Sequence, residues 1–122
     1  MALTKADIEK AVFGLNDTSM EEVQVPEWKT SIFVRSMNLD ERDAWEASIT
    51  ETKGGEIKQN LKDFYSKLIV KTAVDEQGNL LFSEADIPRL QKKSARAMNR
   101  IFKVAQRLNG IGQEAADGLE KN

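Results

Sequence analysis

The sequence predicts a small, mainly helical α+β domain of four to five helices, with a short β-hairpin and an extended N-terminal arm or edge strand. Two observations predict this class. Apolar residues recur at helical spacing behind capping residues, and two segments within residues 23–37 are instead rich in Val, Ile, Phe and Trp, which suit a pleated surface. The length of 122 residues and the hydrophobic content of 40% fit one domain. We expect residues 1–110 to form it and residues 111–122 to be a polar, mobile tail.

The first predicted helix is short. Thr4 is placed to cap it, and Gly14 ends it after a run from Lys5 to Phe13. Its apolar residues fall on one side: Ile8, Val12 and Leu15. A polar link, Asn16 to Glu22, is expected to follow.

The two extended segments are VQVPEW (residues 23–28) and SIFVRSM (residues 31–37). Pro26 has no backbone N–H to donate to a neighbouring strand. The first segment is therefore predicted to be an edge strand or an arm, and not a central strand.

A capped helix is predicted after the second extended segment. Asn38 or Asp40 caps it, and it runs from about Leu39 to Thr50. Trp45 and Ile49 lie on one face of it, which is predicted to face the core.

A longer helix is predicted from Glu56, after Lys53-Gly54-Gly55 breaks the previous pattern. Its apolar residues have the spacing of a core-facing stripe: Ile57, Leu61, Phe64, Leu68 and Ile69, with Tyr65 alongside. After it, residues 72–82 (TAVDEQGNLLF) are predicted to form a hairpin whose turn is residues 75–79.

Two further helices are predicted at the end of the domain. Ser83 caps a short one that has Pro88 in its first turns, and Ser94 caps the last one, from Ala95 to Asn109, which Gly110 ends. The apolar face of the last helix is Met98, Ile101, Phe102, Ala105 and Leu108. We expect Phe64 and Phe102 both to be buried.

The chain has no His and no Cys. Nucleophile–base pairs usually need one of these residues, and zinc and most transition-metal sites need imidazole or thiolate ligands. We therefore expect no enzymatic activity, no cofactor and no metal.

Three motifs could carry chemistry but have simpler explanations. An acidic cluster lies in the helix after the extended segments: Asp40, Glu41, Asp43 and Glu46. It could ligate a hard cation, but it also suits the helix dipole and the pairing of Arg42 with Glu46. Residues 75–79 lack the Gly and Glu positions of an EF-hand. Gly110-Ile111-Gly112 follows a helix, whereas phosphate-binding loops precede one.

Residues 88–109 contain seven basic residues and no acidic one. Four of them share one face of the last helix: Arg96, Arg100, Lys103 and Arg107. This basic face could bind nucleic acid, could be a solvated surface, or could bind the acidic half of another copy. The lack of interleaved aromatic residues and the net charge of −2 argue against nucleic acid.

The chain gives no indication of membrane insertion. No apolar run approaches the roughly 18–20 residues that a membrane span needs, and the N-terminus lacks the apolar segment of a signal peptide. We expect a cytoplasmic protein that does not bind a membrane.

Six segments, taken in order, resemble a known family: VPEW, FVR, LDERDAWE, VDEQGNLLF, SEADI and the closing AQRLNGI. They are similar to the tail assembly chaperones of long-tailed (siphovirus-type) bacteriophages. The resemblance extends from about Val23 to the C-terminus. One departure is Lys29-Thr30, where a Gly or another small turn residue is expected.

The resemblance implies a non-enzymatic protein of the infected host cell that is absent from the finished virion. Such chaperones are thought to bind the tape measure protein, keep it soluble, and help bring tail tube subunits to it, and self-association is expected. Many are made in two lengths by a ribosomal frameshift. The end of this chain, Leu119-Glu120-Lys121-Asn122, is compatible with such a junction.

Our candidates for contact with the partner are Val25, Trp28, Ile32 and Phe33, because an arm with Pro26 cannot be fully paired in a sheet. The alternative is that these four residues pack on the Trp45 helix as ordinary core. Two other functions stay open: a small structural virion protein of the head–tail or tail region, and a DNA-binding protein that uses the basic face.

Overall fold

The computed structural model describes residues 3–112. The elements in chain order are α1 (Lys5–Gly14), β1 (Met20–Val25), the 3₁₀ turn η1 (Pro26–Trp28), β2 (Thr30–Arg35), α2 (Leu39–Ser48), β3 (Thr50–Lys53), β4 (Glu56–Gln59), α3 (Phe64–Thr72), β5 (Ala73–Val74), the 3₁₀ turn η2 (Glu84–Asp86), α4 (Ile87–Leu90) and α5 (Ala95–Asn109). Five α-helices with short antiparallel sheets, counted within these residues, confirm the predicted α+β class. Residues 113–122 of the predicted tail lie outside the described part.

The main sheet has three antiparallel strands in the order β1-β2-β5. Val23 lies opposite Ile32 in the β1–β2 hairpin. β1 is at the edge of the sheet, as predicted, and it ends at Val25, directly before Pro26. It begins at Met20, so the polar link predicted to reach Glu22 is shorter than expected.

The core lies between the inner face of this sheet and the helices α2, α3 and α5. The fully buried side chains include Val25, Val34, Leu68, Ile69 and Ile101. Trp45 of α2 and Ile49, which directly follows it, are both buried, although α2 ends at Ser48 and not at Thr50 as predicted. Apolar side chains from every one of these elements meet in a single cluster, so the sheet and the three helices form one packed unit.

Helix α5 agrees with its prediction at both ends. The Ser94 hydroxyl accepts a hydrogen bond from the Ala97 N–H, and Gly110 ends the helix at φ 63°. Phe102 is buried, whereas Phe64 is only partly buried, so the expectation of burial holds for one of the two. Ile111 is also buried, which extends the packed chain one residue past the predicted boundary.

The prediction of a long helix from Glu56 is wrong for the first half of that segment. Gly54 and Gly55 take φ values of 62° and 81° and form the two-residue turn of a hairpin between β3 and β4. Ile57 is 80% exposed on this hairpin, and α3 begins only at Phe64. The spacing of Ile57 and Leu61 resembled a helical stripe by coincidence, because a paired Gly-Gly turn determines the local structure.

The predicted hairpin of residues 72–82 is present in a reduced form. β5 pairs mainly with β2, and Val74 forms a single bridge with Leu80. The Asp75 carboxylate accepts hydrogen bonds from the N–H groups of Gln77 and Asn79, both at 2.9 Å, which confirms a turn. No helix within residues 3–112 has the length and hydropathy needed to cross a membrane.

Candidate functional site

The four residues predicted to contact a partner do not share one surface, since Val25, Ile32 and Phe33 lie in the main sheet and Trp28 lies in η1. Val25 is fully buried and Ile32 is 8% exposed, and both belong to the core. Side chains alternate along a strand, so the Val-x-Val spacing directs Val25 inward. Trp28 and Phe33 are partly exposed. Val25 and Ile32 are therefore corrected to core residues, and the role of Trp28 and Phe33 stays a prediction.

Beside Trp28 the surface opens into a groove of about 420 Å³. This Trp28 groove is lined by Trp28, Phe82, Asp86, Arg89, Leu90 and Lys93. Leu90 is buried, and Trp28 and Phe82 pack against the core, so these three side chains make an apolar floor. Arg89 and Lys93 are exposed and give the groove a cationic rim.

A turn and an ion pair hold Trp28 at the end of the β1–β2 hairpin. Lys29 takes a left-handed conformation, φ 53° and ψ 36°, which directs the chain from η1 into β2. The Glu27 carboxylate accepts two hydrogen bonds from Arg100 Nε on α5, at 2.9 and 3.1 Å. These bonds hold the pKa of Glu27 below its ordinary value. Trp28 is thus fixed with respect to α5.

The opposite wall of the groove comes from η2 and α4. The Ser83 N–H donates to Asp86 Oδ2 at 2.9 Å and closes a capping box. Asp86 also pairs with Arg89. The Ser83 N–H first, and Arg89 next, hold the pKa of Asp86 below its ordinary range. Because Phe82 directly precedes this turn, the turn fixes the position of Phe82 in the groove.

A second cleft, of about 500 Å³, lies on the other side of α4. This Tyr65 cleft is lined by Leu61, Phe64, Tyr65, Met98 and other residues, and it shares Leu90 and Lys93 with the Trp28 groove. The Tyr65 ring stacks on Phe102 with 4.1 Å between ring centroids. The groove and the cleft are therefore neighbouring depressions that share Leu90 and Lys93.

A small domain with an open, preformed apolar surface is typical of a protein that binds another polypeptide. A family model described as phage tail assembly chaperone matches residues 11–121. The chain belongs to this family. Among curated proteins and among solved structures no match was found. The match confirms the resemblance inferred from the sequence, and it leaves the first half of α1 outside the family's shared region.

The basic face of the chaperone is partly neutralised by its own chain. Arg107 pairs with Glu21 on β1 at 2.6 Å, and Arg100 pairs with Glu27. Two of the four predicted cations therefore tie α5 to β1 and to η1. Arg96 also lies close enough to lower the pKa of Glu27 slightly. The acidic partner that the sequence suggested for this face is thus supplied, in part, within the chain.

The acidic cluster on α2 also has structural partners. Glu41 forms a capping box with Asn38, whose N–H it accepts at 3.0 Å, and it pairs with Arg35. Glu46 pairs with Arg42 at 2.9 Å, as predicted. Across the described residues, no group of three or more His, Cys, Asp or Glu side chains is arranged to hold a metal ion.

Sequence reasoning found Trp28 but missed Phe82 and Leu90. These residues are more than fifty positions from Trp28 in the chain, and only the packing of α4 beside η1 brings them together. The one usable signal was Ser83, because its capping box fixes the start of η2 directly after Phe82.

Proposed function

We propose that this tail assembly chaperone binds the tape measure protein in the host cytoplasm, keeps it soluble and helps to recruit tail tube subunits, without enzymatic activity and without entering the virion. The observation that carries the proposal is the Trp28 groove with the neighbouring Tyr65 cleft. The floor of the Trp28 groove is apolar and its shape is held by caps and ion pairs, so it is available before a partner arrives.

The physics of such binding is the burial of an amphipathic helix in a groove. The apolar stripe of the partner helix would contact Trp28, Phe82 and Leu90, and the polar face would stay in water. Arg89 and Lys93 on the rim favour a helix whose stripe is flanked by Asp or Glu. A long, helical tape measure protein offers many such segments, which also fits a chaperone that acts in several copies.

Co-expression tests the proposal. The soluble fraction of the cognate tape measure protein is measured with the wild-type chaperone, with Trp28→Ala and with the control Leu39→Ala, whose side chain is 74% exposed away from the groove. We expect Trp28→Ala to lower the soluble fraction and Leu39→Ala to leave it unchanged. Circular dichroism of both variants establishes that they fold.

Two outcomes would contradict the proposal. One is a tape measure protein that is equally soluble without the chaperone. The other is a folded Trp28→Ala variant that solubilises it as well as the wild type does. Mass spectrometry of purified virions should also detect no peptides of this chain. Their presence would favour a structural virion protein.

A further inference from the structure

The rim of the Trp28 groove carries a positive charge that its own lining does not balance. Three charged side chains line the groove: Asp86, Arg89 and Lys93. Arg89 pairs with Asp86, so these two side chains neutralise each other. The Lys93 ammonium forms no ion pair and no hydrogen bond with the rest of residues 3–112. The uncompensated charge of the groove is therefore that of Lys93.

Lys93 and Arg89 differ in what a partner carboxylate would have to break. The Asp86 carboxylate accepts from the Ser83 N–H at 2.9 Å and holds Arg89. A partner carboxylate that took Arg89 would leave Asp86 without its cation. One that pairs with Lys93 breaks no ion pair within the described chain. Lys93 is therefore the favoured contact for an acidic residue of a bound segment.

The position of Lys93 relates its charge to the apolar floor. The Lys93 N–H donates to the Leu90 carbonyl at 3.0 Å, so a tight turn sets the exposed lysine beside the buried leucine. The neighbouring Tyr65 cleft shares both residues, but its lining also includes the carboxylate of Asp63. The charges that line the Tyr65 cleft therefore balance, whereas those that line the Trp28 groove do not.

This arrangement favours one spacing of residues in a bound helix. Side chains three or four positions apart lie on the same face of a helix, roughly 5–6 Å from each other. A helix that packs an apolar side chain on Leu90 therefore brings a residue three or four positions away next to Lys93. A residue two positions away points to another face and stays in water. The groove can thus distinguish helices by where their acidic residues lie.

We propose that Lys93 selects which segments of the tape measure protein the Trp28 groove binds. The selected segments are amphipathic helices with Asp or Glu three or four residues from the apolar residue that packs on Leu90. Segments with Lys or Arg at that position are rejected, since like charges then face each other. The inference rests on the function proposed above for the groove, and it implies binding at particular places along the tape measure protein.

A peptide array tests this inference. Overlapping peptides of about 20 residues, long enough to form helices, cover the cognate tape measure protein and are probed with the full-length chaperone. We expect the bound peptides to be enriched in Asp or Glu at the stated spacing. The peptide that binds best is then made in two further forms. In one, that acidic residue is replaced by Lys; in the other, it is moved by two positions at constant composition.

Matched chaperone variants separate a direct contact from the overall charge. By fluorescence anisotropy at low salt, the wild type should bind the original peptide roughly two- to fivefold more tightly than the rearranged form, as one exposed ion pair allows. Lys93→Glu should instead prefer the form with Lys, and Lys93→Arg should keep the wild-type order. The control is Lys92→Glu, an identical change at an exposed neighbour that lines neither depression, and it should also keep that order.

The outcomes distinguish this inference from the function on which it rests. Trp28→Ala should weaken the binding of all three forms by a similar factor. Equal Kd values for the three forms, or a reversed order in Lys92→Glu as well as in Lys93→Glu, would overturn the selection by Lys93 and leave binding in the groove intact. An array on which no peptide binds, or on which Trp28→Ala binds every peptide as the wild type does, would overturn both.

Discussion

Lys29 offers a sharp test of how the β1–β2 hairpin presents Trp28. Its φ of 53° and ψ of 36° lie in the left-handed region, which costs a residue with a side chain roughly 1–2 kcal/mol. Glycine adopts this conformation without that cost. Its greater freedom in the unfolded chain, however, lowers the stability of the folded state by about 0.5–1 kcal/mol. The exposed Lys29 side chain forms no hydrogen bond or ion pair within residues 3–112. We therefore expect Lys29→Gly to stabilise the domain by about 0.5–1 kcal/mol.

Urea unfolding followed by circular dichroism measures this effect. With an m-value of about 2 kcal/mol per molar urea, the midpoint should rise by about 0.3–0.5 M. The matched control is Lys103→Gly on the exposed face of α5, where glycine should cost about 1 kcal/mol. A midpoint that falls in Lys29→Gly would refute the turn geometry, and with it the placement of Trp28.

Three further predictions concern the core and its ion pairs. Phe102→Ala should cost about 3–5 kcal/mol in urea unfolding, because Phe102 is buried against Tyr65 and Phe64; a loss under about 1 kcal/mol would mean that this packing is wrong. Trp45→Phe should cost far less than Trp45→Ala, since the buried Trp45 Nε1 has no hydrogen-bond partner among residues 3–112 and its removal offsets part of the lost contact. Equal losses would contradict this prediction. The pair with Arg100 lowers the pKa of Glu27 in the folded protein from an ordinary 4.5. The Glu27 carboxylate therefore contributes its full stabilisation above pH 4.5, and this stabilisation is lost as the pH falls through the pKa of Glu27 in the folded protein. Arg100→Gln should make the unfolding midpoint less dependent on pH in this acid range, and an unchanged profile would exclude the pair as a cause.

Local signals determined how much of the fold could be predicted. Helix α5 was predicted in full because Ser94, the apolar stripe and Gly110 all specify the same element. The β3–β4 hairpin was missed because its only strong signal is Gly54-Gly55, while the spacing of Ile57 and Leu61 favoured a helix. At Lys29 a left-handed turn forms without a local signal for it, since the sequence supplies no glycine there.

The candidate site was predictable only in part. Trp28 was identified because it belongs to the extended segment that contains Pro26, and the alternation of Val23 and Val25 could have placed Val25 in the core. Phe82 and Leu90 could not be assigned, because tertiary packing alone brings them to Trp28. The pairs of the basic face with Glu21 and Glu27 were likewise hidden, since they join residues that are far apart in the chain.

Site-specific photo-crosslinking tests the central claim most directly. A benzophenone amino acid replaces Lys93, on the rim shared by the Trp28 groove and the Tyr65 cleft, or Lys58, on the exposed β4 strand, in cells that also make the cognate tape measure protein. The account predicts a covalent adduct with the tape measure protein from position 93 and little or none from position 58. Adducts from position 58 with none from position 93 would contradict it.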